Sequence, residues 1–306
     1  MHNRILITGI SGFLGSQIAK QLISQGHELM ATKRPSSDLW RCEDYANKIT
    51  YISINEVNWQ SKILEFDPEI IVHTAWSGVS SADRDDWDVQ FSNIDLTLKL
   101  LQIAKQCKLK KFIGFGSQAE YGNFSGIIDE NYPLNPNSAY GSSKIAISQI
   151  INSFCSINQI NWHWFRLFSF FGELENNTWF IPTLIDKISS VQKMDMTPGE
   201  QKYAYMYVGD LARIIGKTVE VDISSGIYNI SSSYAMTLLE LTNKILKLIK
   251  PAESQINFGA IPYRPNQSMH IQGSNLKLEK ELGEKIDELD FNDSLSMVVK
   301  YKLNKH

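Results

Sequence analysis

The segment Tyr140-Gly141-Ser142-Ser143-Lys144 sets a phenol and an ammonium at i and i+4, one above the other on a helix face. A free tyrosine, with a pKa of about 10, is poorly matched to moving protons near neutral pH. A close cation favours the phenolate. Lowering the pKa by about two to three units takes roughly 3–4 kcal/mol of differential interaction, within reach of close charges in a sheltered cleft. The spacing alone is cheap, because Tyr301 and Lys305 repeat it in a polar tail where it is expected to be inert. Context separates the two. Ser117 closes the apolar run Lys111–Gly116, at the carboxyl edge where open α/β sheets bind ligands, and the stretch from Ser117 to Tyr140 is long enough to loop back. Asn93, in the preceding helical stretch, is either a group holding a water or backbone atom behind Lys144 or a solvated surface residue.

A second constellation suits a diphosphate. Thr8-Gly9-Ile10-Ser11-Gly12-Phe13-Leu14-Gly15 lies between a β-rich run and the first helical pattern. One glycine makes the tight turn, one lets the backbone approach a pyrophosphate, and one lets helix and strand pack closely. The diphosphate then meets free N–H groups at the positive helix end. At the end of the second strand an NAD site usually has a carboxylate for the ribose 2′-hydroxyl, whereas this chain has Lys33-Arg34. Two cations match a 2′-phosphate through charge-assisted bonds, so the expected cofactor is NADP(H).

The elements that must hold these groups follow from periodicity. Arg4–Thr8, Glu28–Thr32, Ile70–Ala75 and Lys111–Gly116 are short β-rich runs, several without alternation, as in strands buried on both faces of a parallel sheet. Phe13–Gln25, Val89–Cys107 and Tyr140–Phe154 carry apolar residues at helical spacing. Strand–helix alternation predicts an α/β fold: a Rossmann-type doubly wound parallel sheet, with a smaller C-terminal α+β substrate domain. Residues 1–168 are expected to form the dinucleotide-binding domain and 169–306 the second one, with the chain returning to the first at about 205–231. Short helices are expected at Phe180–Ile188, Val208–Val219 and Met236–Ile249, with Gly226–Ile230 a strand and a mixed polar tail beyond Pro251.

With 306 residues, 43% hydrophobic and 21% charged, the chain can build a sizeable core. A net charge of −3 leaves no electrostatic footprint for nucleic acid or an anionic membrane surface. Cys42, Cys107 and Cys155 are odd in number and lack a CxxC pair, and the six histidines form no metal-ligand spacing, so neither disulfides nor a metal are expected. No apolar run is long enough to span a bilayer, and the N-terminus opens on a strand pattern, so the expectation is a cytoplasmic protein.

Taken together, Thr8-Gly-x-x-Gly-Phe-Leu-Gly15, His73-Thr-Ala75, Asn93, Ser117 with Tyr121-Gly122, and Tyr140-x-x-x-Lys144 resemble an extended short-chain dehydrogenase/reductase of the nucleotide-sugar epimerase/dehydratase group. The similarity runs over nearly the whole chain. It implies that Tyr140 is the acid/base, that Ser117 bonds the reacting oxygen, and that Lys144 holds the nicotinamide ribose. It further implies cofactor contacts from Thr8, Gly9, Ser11, Gly12, Phe13, Leu14, Gly15, Lys33, Arg34, Asn55, Thr74, Ala75, Trp76 and Asn93. Trp76, Ser80, Gln118, Ser169, Gln201 and Arg264 fall where the substrate would sit, Arg264 on its diphosphate.

Hexose 4,6-dehydratases place an Asp–Glu pair after the Ser/Thr; here Gln118 and Ala119 supply no acid for a leaving hydroxyl. Fucose-type epimerase–reductases use a Cys two residues after the Ser, where this chain has Ala119. Exchangeable NADPH suits net reduction, so the resemblance is nearest to NADPH-dependent nucleotide-sugar 4-ketoreductases. The expected reaction is reduction at C4 of a nucleotide-linked 4-keto-6-deoxyhexose. The alternatives are a nucleotide-sugar 4-epimerase, a dihydroflavonol-type carbonyl reductase and a non-catalytic NADP(H)-binding regulator. The family's habit of pairing the Val89–Cys107 and Tyr140–Phe154 helices across subunits implies a homodimer.

Overall fold

The computed structural model describes residues 2–80, 82–107 and 109–304; Lys305, of the second Tyr–Lys pair, lies outside them. Seven strands form a parallel sheet: β1 (Arg4–Thr8), β2 (Glu28–Lys33), β3 (Ile49–Ser53), β4 (Ile70–His73), β5 (Lys111–Ser117), β6 (Asn161–Leu167) and β7 (Gly226–Ile230). Their order is β7-β6-β5-β4-β1-β2-β3, so the chain runs outward from β1 in one direction and then from β4 in the other. The reversal between β1 and β4 leaves a crevice at the strands' carboxyl ends. It receives the turn after β1 and the ends of β4 and β5.

Successive side chains of each strand enter opposite layers. Ile5, Ile7, Val72 and Ile113 meet helices α1 (Phe13–Ser24) and α6 (Val208–Glu220) through Ile18, Leu22, Leu211 and Ile215. Leu6, Ile71 and Phe112 face the other way, towards α3 (Trp87–Gln106) and α4 (Ala139–Ile157), whose Leu100, Leu101, Ile147 and Ile151 complete that layer with Ile63 of α2 (Trp59–Phe66). Burial of every residue of β4 and β5 explains why those runs do not alternate.

A second, smaller unit gathers α5 (Phe180–Ser189), α7 (Leu238–Ile249) and α9 (Phe291–Leu303) around Leu184, Ile185, Leu241, Ile245, Leu295 and Val299. Its four-stranded sheet runs 236–237, 202–203, 270–273, 126–128. The last of these strands comes from the first half of the chain, so a cut at residue 168 does not divide the molecule cleanly. Ile128 is drawn across because it packs with Tyr121, Phe124 and Phe168. In the other direction, α6 lies on α1 and Gly226–Ile230 becomes the edge strand β7 of the large sheet. Met236 and Thr237 form a strand pair with Lys202 and Tyr203 before Thr237 and Glu240 close a capping box that starts α7. The polar-looking tail holds two helices, α8 (Leu276–Leu282) and the amphipathic α9. Among the described residues no helix is long and apolar enough to cross a membrane.

Candidate active site

Ser117 ends β5 and Tyr140 is the second residue of α4, whose N-cap Ser138 accepts the Gly141 N–H at 3.1 Å. One helical turn later Lys144 donates to the Phe115 carbonyl of β5 at 2.7 Å. Its ammonium lies 3.5 Å above the Trp76 ring and 5.6 Å from the Tyr140 ring. Trp76 stands edge-on to Tyr140, with centroids 6.2 Å apart, and is itself fixed by its indole N–H to Gln90 Oε1 at 2.9 Å. Ser117, Tyr140 and Lys144 are 9%, 7% and 5% exposed, so charges here interact with little screening from water.

The electrostatics depart from the sequence expectation. Burial pushes the Tyr140 phenol upward; the Arg84 guanidinium and the Ser117 hydroxyl pull it back, while Glu120 adds to the rise. Burial also lowers the Lys144 ammonium to about 7, opposed by Glu120. The cation nearest the Tyr140 ring centroid is Arg84, at 5.0 Å, rather than Lys144, at 5.6 Å.

Glu120 is fully buried and saturated. Its Oε1 accepts the Ser117 N–H and the Trp164 indole N–H, both at 3.0 Å, and its Oε2 accepts Arg166 Nε at 2.8 Å. Ser117 and Glu120 close a capping box around a single 3₁₀ turn, which fixes the Ser117 hydroxyl at the strand end. Ser117 Oγ accepts the Ala119 N–H at 3.2 Å, leaving its own proton to donate. Gln118 Oε1 is buried with no partner among the described residues.

The glycine turn is tied to the end of β4. Gly9 has φ +73°, and a Cβ there would lie 2.5 Å from the Ala75 nitrogen; one on Gly15 would lie 2.3 Å from the Gly9 carbonyl oxygen. Thr8 Oγ1 accepts the Ala75 N–H at 3.2 Å and meets His73 Nδ1 at 2.7 Å, and Thr74 Oγ1 donates to the Thr8 carbonyl at 2.6 Å. Thr97 donates its hydroxyl to the Asn93 carbonyl and so accepts from His73 Nε2, which leaves Nδ1 to accept from Thr8. Desolvation holds this imidazole neutral, at about 3. The hydroxyls of Thr8 and Thr74 thus face protein. Asn93 is buried and clamps Ser77, accepting its N–H at 2.7 Å and donating to its carbonyl at 3.1 Å. It holds a backbone segment, as one of the two sequence readings had it, but that of Ser77 next to Trp76 and not one behind Lys144.

The remaining candidates stand on other segments. Lys33 ends β2 and Arg34 follows it, exposed; neither is in an ion pair among the described residues. Asn55 is exposed beyond β3. Exposed Ser80 donates to Asp83 at 2.8 Å, and the Ser169 carbonyl accepts the Met206 N–H at 2.9 Å. Buried Gln201 is engaged by Thr197 at 3.0 Å, and exposed Arg264 opposes in small part the burial that pushes the nearby Tyr203 phenol up. Two cavities, of about 550 and 350 Å³, lie away from the Ser–Tyr–Lys cluster, the larger beside Arg41, Glu175 and Lys302 and the smaller beside Tyr207, Lys244 and Glu288.

A glycine-turned phosphate cradle, a Ser–Tyr–Lys cluster at the switch point and the strand order agree with what comparison with known proteins returns. The model of the NAD dependent epimerase/dehydratase family matches residues 5–231. The chain belongs to that family. It is 26% identical to the dTDP-6-deoxy-L-talose 4-dehydrogenase (NAD(+)) of Aggregatibacter actinomycetemcomitans, over 88% of this chain and 99% of that one. With the CDP-abequose synthase of Yersinia pseudotuberculosis it shares 24% identity, over 87% of this chain and 90% of the relative. The UDP-N-acetylglucosamine 4-epimerase of Methanobrevibacter ruminantium M1, solved with UDP-N-acetylmuramic acid, shares the fold at a TM-score of 0.89 and 23% identity, covering 100% of this chain and 99% of that one.

The residues of this family member fit a nicotinamide dinucleotide. The N-cap of α1, Gly12, makes no side-chain cap, so the first N–H groups of that helix are left for an anion, and the glycines keep the cradle free of Cβ atoms. Sequence reasoning passed over four groups that shape the epimerase/dehydratase-type site: Arg84, Asp85, Gln90 and Glu120. The Ser117-x-x-Glu120 spacing is a capping-box signature and was legible as one. The other three carry no signal of their own, since only the folded loop after β4 brings them to α4 and Trp76.

Proposed function

We propose that this enzyme reduces the keto group of a nucleotide-linked sugar, at C4 of a 4-keto-6-deoxyhexose, using NADPH. The observation that carries the reading is the state of the carboxyl group nearest Ser117. Glu120 is locked to Arg166, Trp164 and the Ser117 N–H in the core, and positions 118 and 119 hold an amide and a methyl. A carboxyl group whose two oxygens are taken up by Arg166, Trp164 and the Ser117 N–H is not offered to a leaving hydroxyl, so elimination of water lacks its acid while reduction needs only Tyr140.

The dinucleotide supplies the hydride. Tyr140 donates its phenolic proton to the substrate oxygen as charge develops there, and Ser117, whose oxygen is anchored by the Ala119 N–H, donates a second hydrogen bond to the same atom. Lys144 keeps N–H bonds beyond the one to Phe115 for the nicotinamide ribose. The orphaned Gln118 Oε1 takes a sugar hydroxyl, and Arg264 meets the diphosphate. Lys33 and Arg34 favour a 2′-phosphate, although the 26%-identical dehydrogenase is named for NAD(+), which makes cofactor choice the sharpest division. We also assign a homodimer, since Trp87, Phe91 and Leu98 leave α3 with an exposed apolar face.

The test follows NADPH and NADH oxidation against 4-keto-6-deoxyhexoses carried on dTDP, CDP, GDP and UDP. NADPH consumption with formation of the 4-hydroxy sugar is expected. Epimer exchange without net consumption, or turnover of dihydroflavonols instead, overturns the proposal. So does binding of NADPH with no carbonyl reduced.

A further inference from the structure

Just before α3 the chain crosses the start of α4 as a strap, Asp83–Asp86. The Arg84 carbonyl accepts the Tyr140 N–H at 2.8 Å, and Asp85 Oδ1 accepts the Ala139 N–H at 3.2 Å. Those are two of the donors that a helix cannot satisfy for itself, so the strap caps α4 from outside. At its far end Asp86 caps α3 by accepting the Asp88 and Val89 N–H groups, and Gln90 Nε2 donates to the Asp83 carbonyl at 3.2 Å. Main chain and aspartates therefore fix the strap, and the Arg84 side chain adds nothing to these bonds. Its Nε donates to the Val79 carbonyl at 3.1 Å, and its guanidinium carbon sits 5.0 Å from the Tyr140 ring centroid. Among the described residues it is in no ion pair.

We propose that Arg84 is a positioning residue for the catalytic phenol, its guanidinium over the ring favouring the charged form of Tyr140. This deepens the reading of Tyr140 as proton donor and rests on it. The groups facing the phenol are Arg84 from the strap, Lys144 on the same helix, Trp76 after β4, and Ser117 and Glu120 at the end of β5. Lys144 lies on the Trp76 face with one N–H given to the Phe115 carbonyl, and its charge is incomplete near neutral pH. Glu120 is offset by Arg166. Of these groups Arg84 is the cation nearest the ring centroid, and among the described residues no carboxylate pairs with it.

The experiment titrates Tyr140 directly, in the full chain with and without NADP⁺, by NMR of Cζ-labelled tyrosine, with Tyr140→Phe assigning the resonance. Arg84→Met is expected to raise the midpoint by about one pH unit, the lower end for an opposite charge at this range, and Arg84→Lys to return most of that shift. In turnover, the basic limb of the pH–kcat profile moves up with the midpoint while KM for NADPH stays. A midpoint unmoved in Arg84→Met overturns the proposal, as does an equal shift in Arg84→Lys. Should no 4-keto sugar be reduced and the midpoint still shift, the substrate reading fails and the role of Arg84 stands.

Discussion

Lys144 illustrates how a single side chain is held against its own solvation. Burial takes its ammonium from about 10.4 in an unfolded chain down to about 7. Between those values the unfolded chain binds more protons, so stability rises with pH across that window; below it the full penalty applies. The bond to Phe115 and the contact with the Trp76 face offset part of this cost. Replacing Lys144 by Met should therefore stabilise the protein by about 2 kcal/mol near pH 6, less near pH 10, while turnover is lost. Thermal melts at the two pH values check it, and a lower Tm at the acidic one refutes it. Tyr140→Phe should lose about 10²–10⁴-fold in kcat, the range for a general acid, with dinucleotide affinity unchanged by equilibrium titration.

Between elements, the decisive joints are polar. Asn93 of α3 holds both backbone groups of Ser77, and through them the position of Trp76. Asn93→Ala strands a half-buried N–H and carbonyl, for an expected loss of about 1–2 kcal/mol in denaturant unfolding; a loss under about 0.5 kcal/mol would mean that the clamp is idle. Such joints also mark how far the sequence could be read. The sheet was legible because Ile70–His73 and Lys111–Ser117 are buried on both faces and leave a continuous apolar run. The glycine turn and Tyr140–Lys144 were legible because their chemistry is local. Asn161–Leu167 is interrupted by His163 and Arg166 and so leaves no continuous apolar run, yet both are buried and it is β6; Gly126–Ile128 gives no hint that it crosses to the other sheet. The cation over Tyr140 was assigned to the residue close in sequence, Lys144, whereas Arg84 reaches it only through the folded strap.

At the scale of the whole molecule, buried imidazoles set the response to acid. His73 and His163 are lowered by desolvation to about 3 and about 4, both below the unfolded value of 6.5. Each contributes stability that is present above pH 6.5 and lost as pH falls towards the folded value, about 2 kcal/mol apiece at about pH 5. Glu175 works the other way. Raised by burial to about 8, it binds a proton in the fold that the unfolded chain releases above 4.5, so its contribution fades as pH rises. His27, also lowered by burial, joins the imidazoles, and Asp210, also raised by burial, joins Glu175; three histidines against two carboxyls leave a net rise in stability between about pH 4.5 and 6.5. Urea midpoints across that range check the slope, and a flat profile contradicts it. The proposed dimer would use a different surface. Trp87 and Phe91 on α3 are 50% and 54% exposed with their rings 5.5 Å apart, and Ile157 on α4 is exposed as well. An apolar face of this kind on helices that otherwise bury their stripes is the mark of a covered surface. Because neither ring belongs to a core cluster, Phe91→Glu places a charge where a partner subunit would have to desolvate it, at no cost to the isolated fold. Light scattering at micromolar concentration should then give a dimer for the natural chain and a monomer for the variant with an unchanged melt; a monomeric natural chain removes the interface altogether.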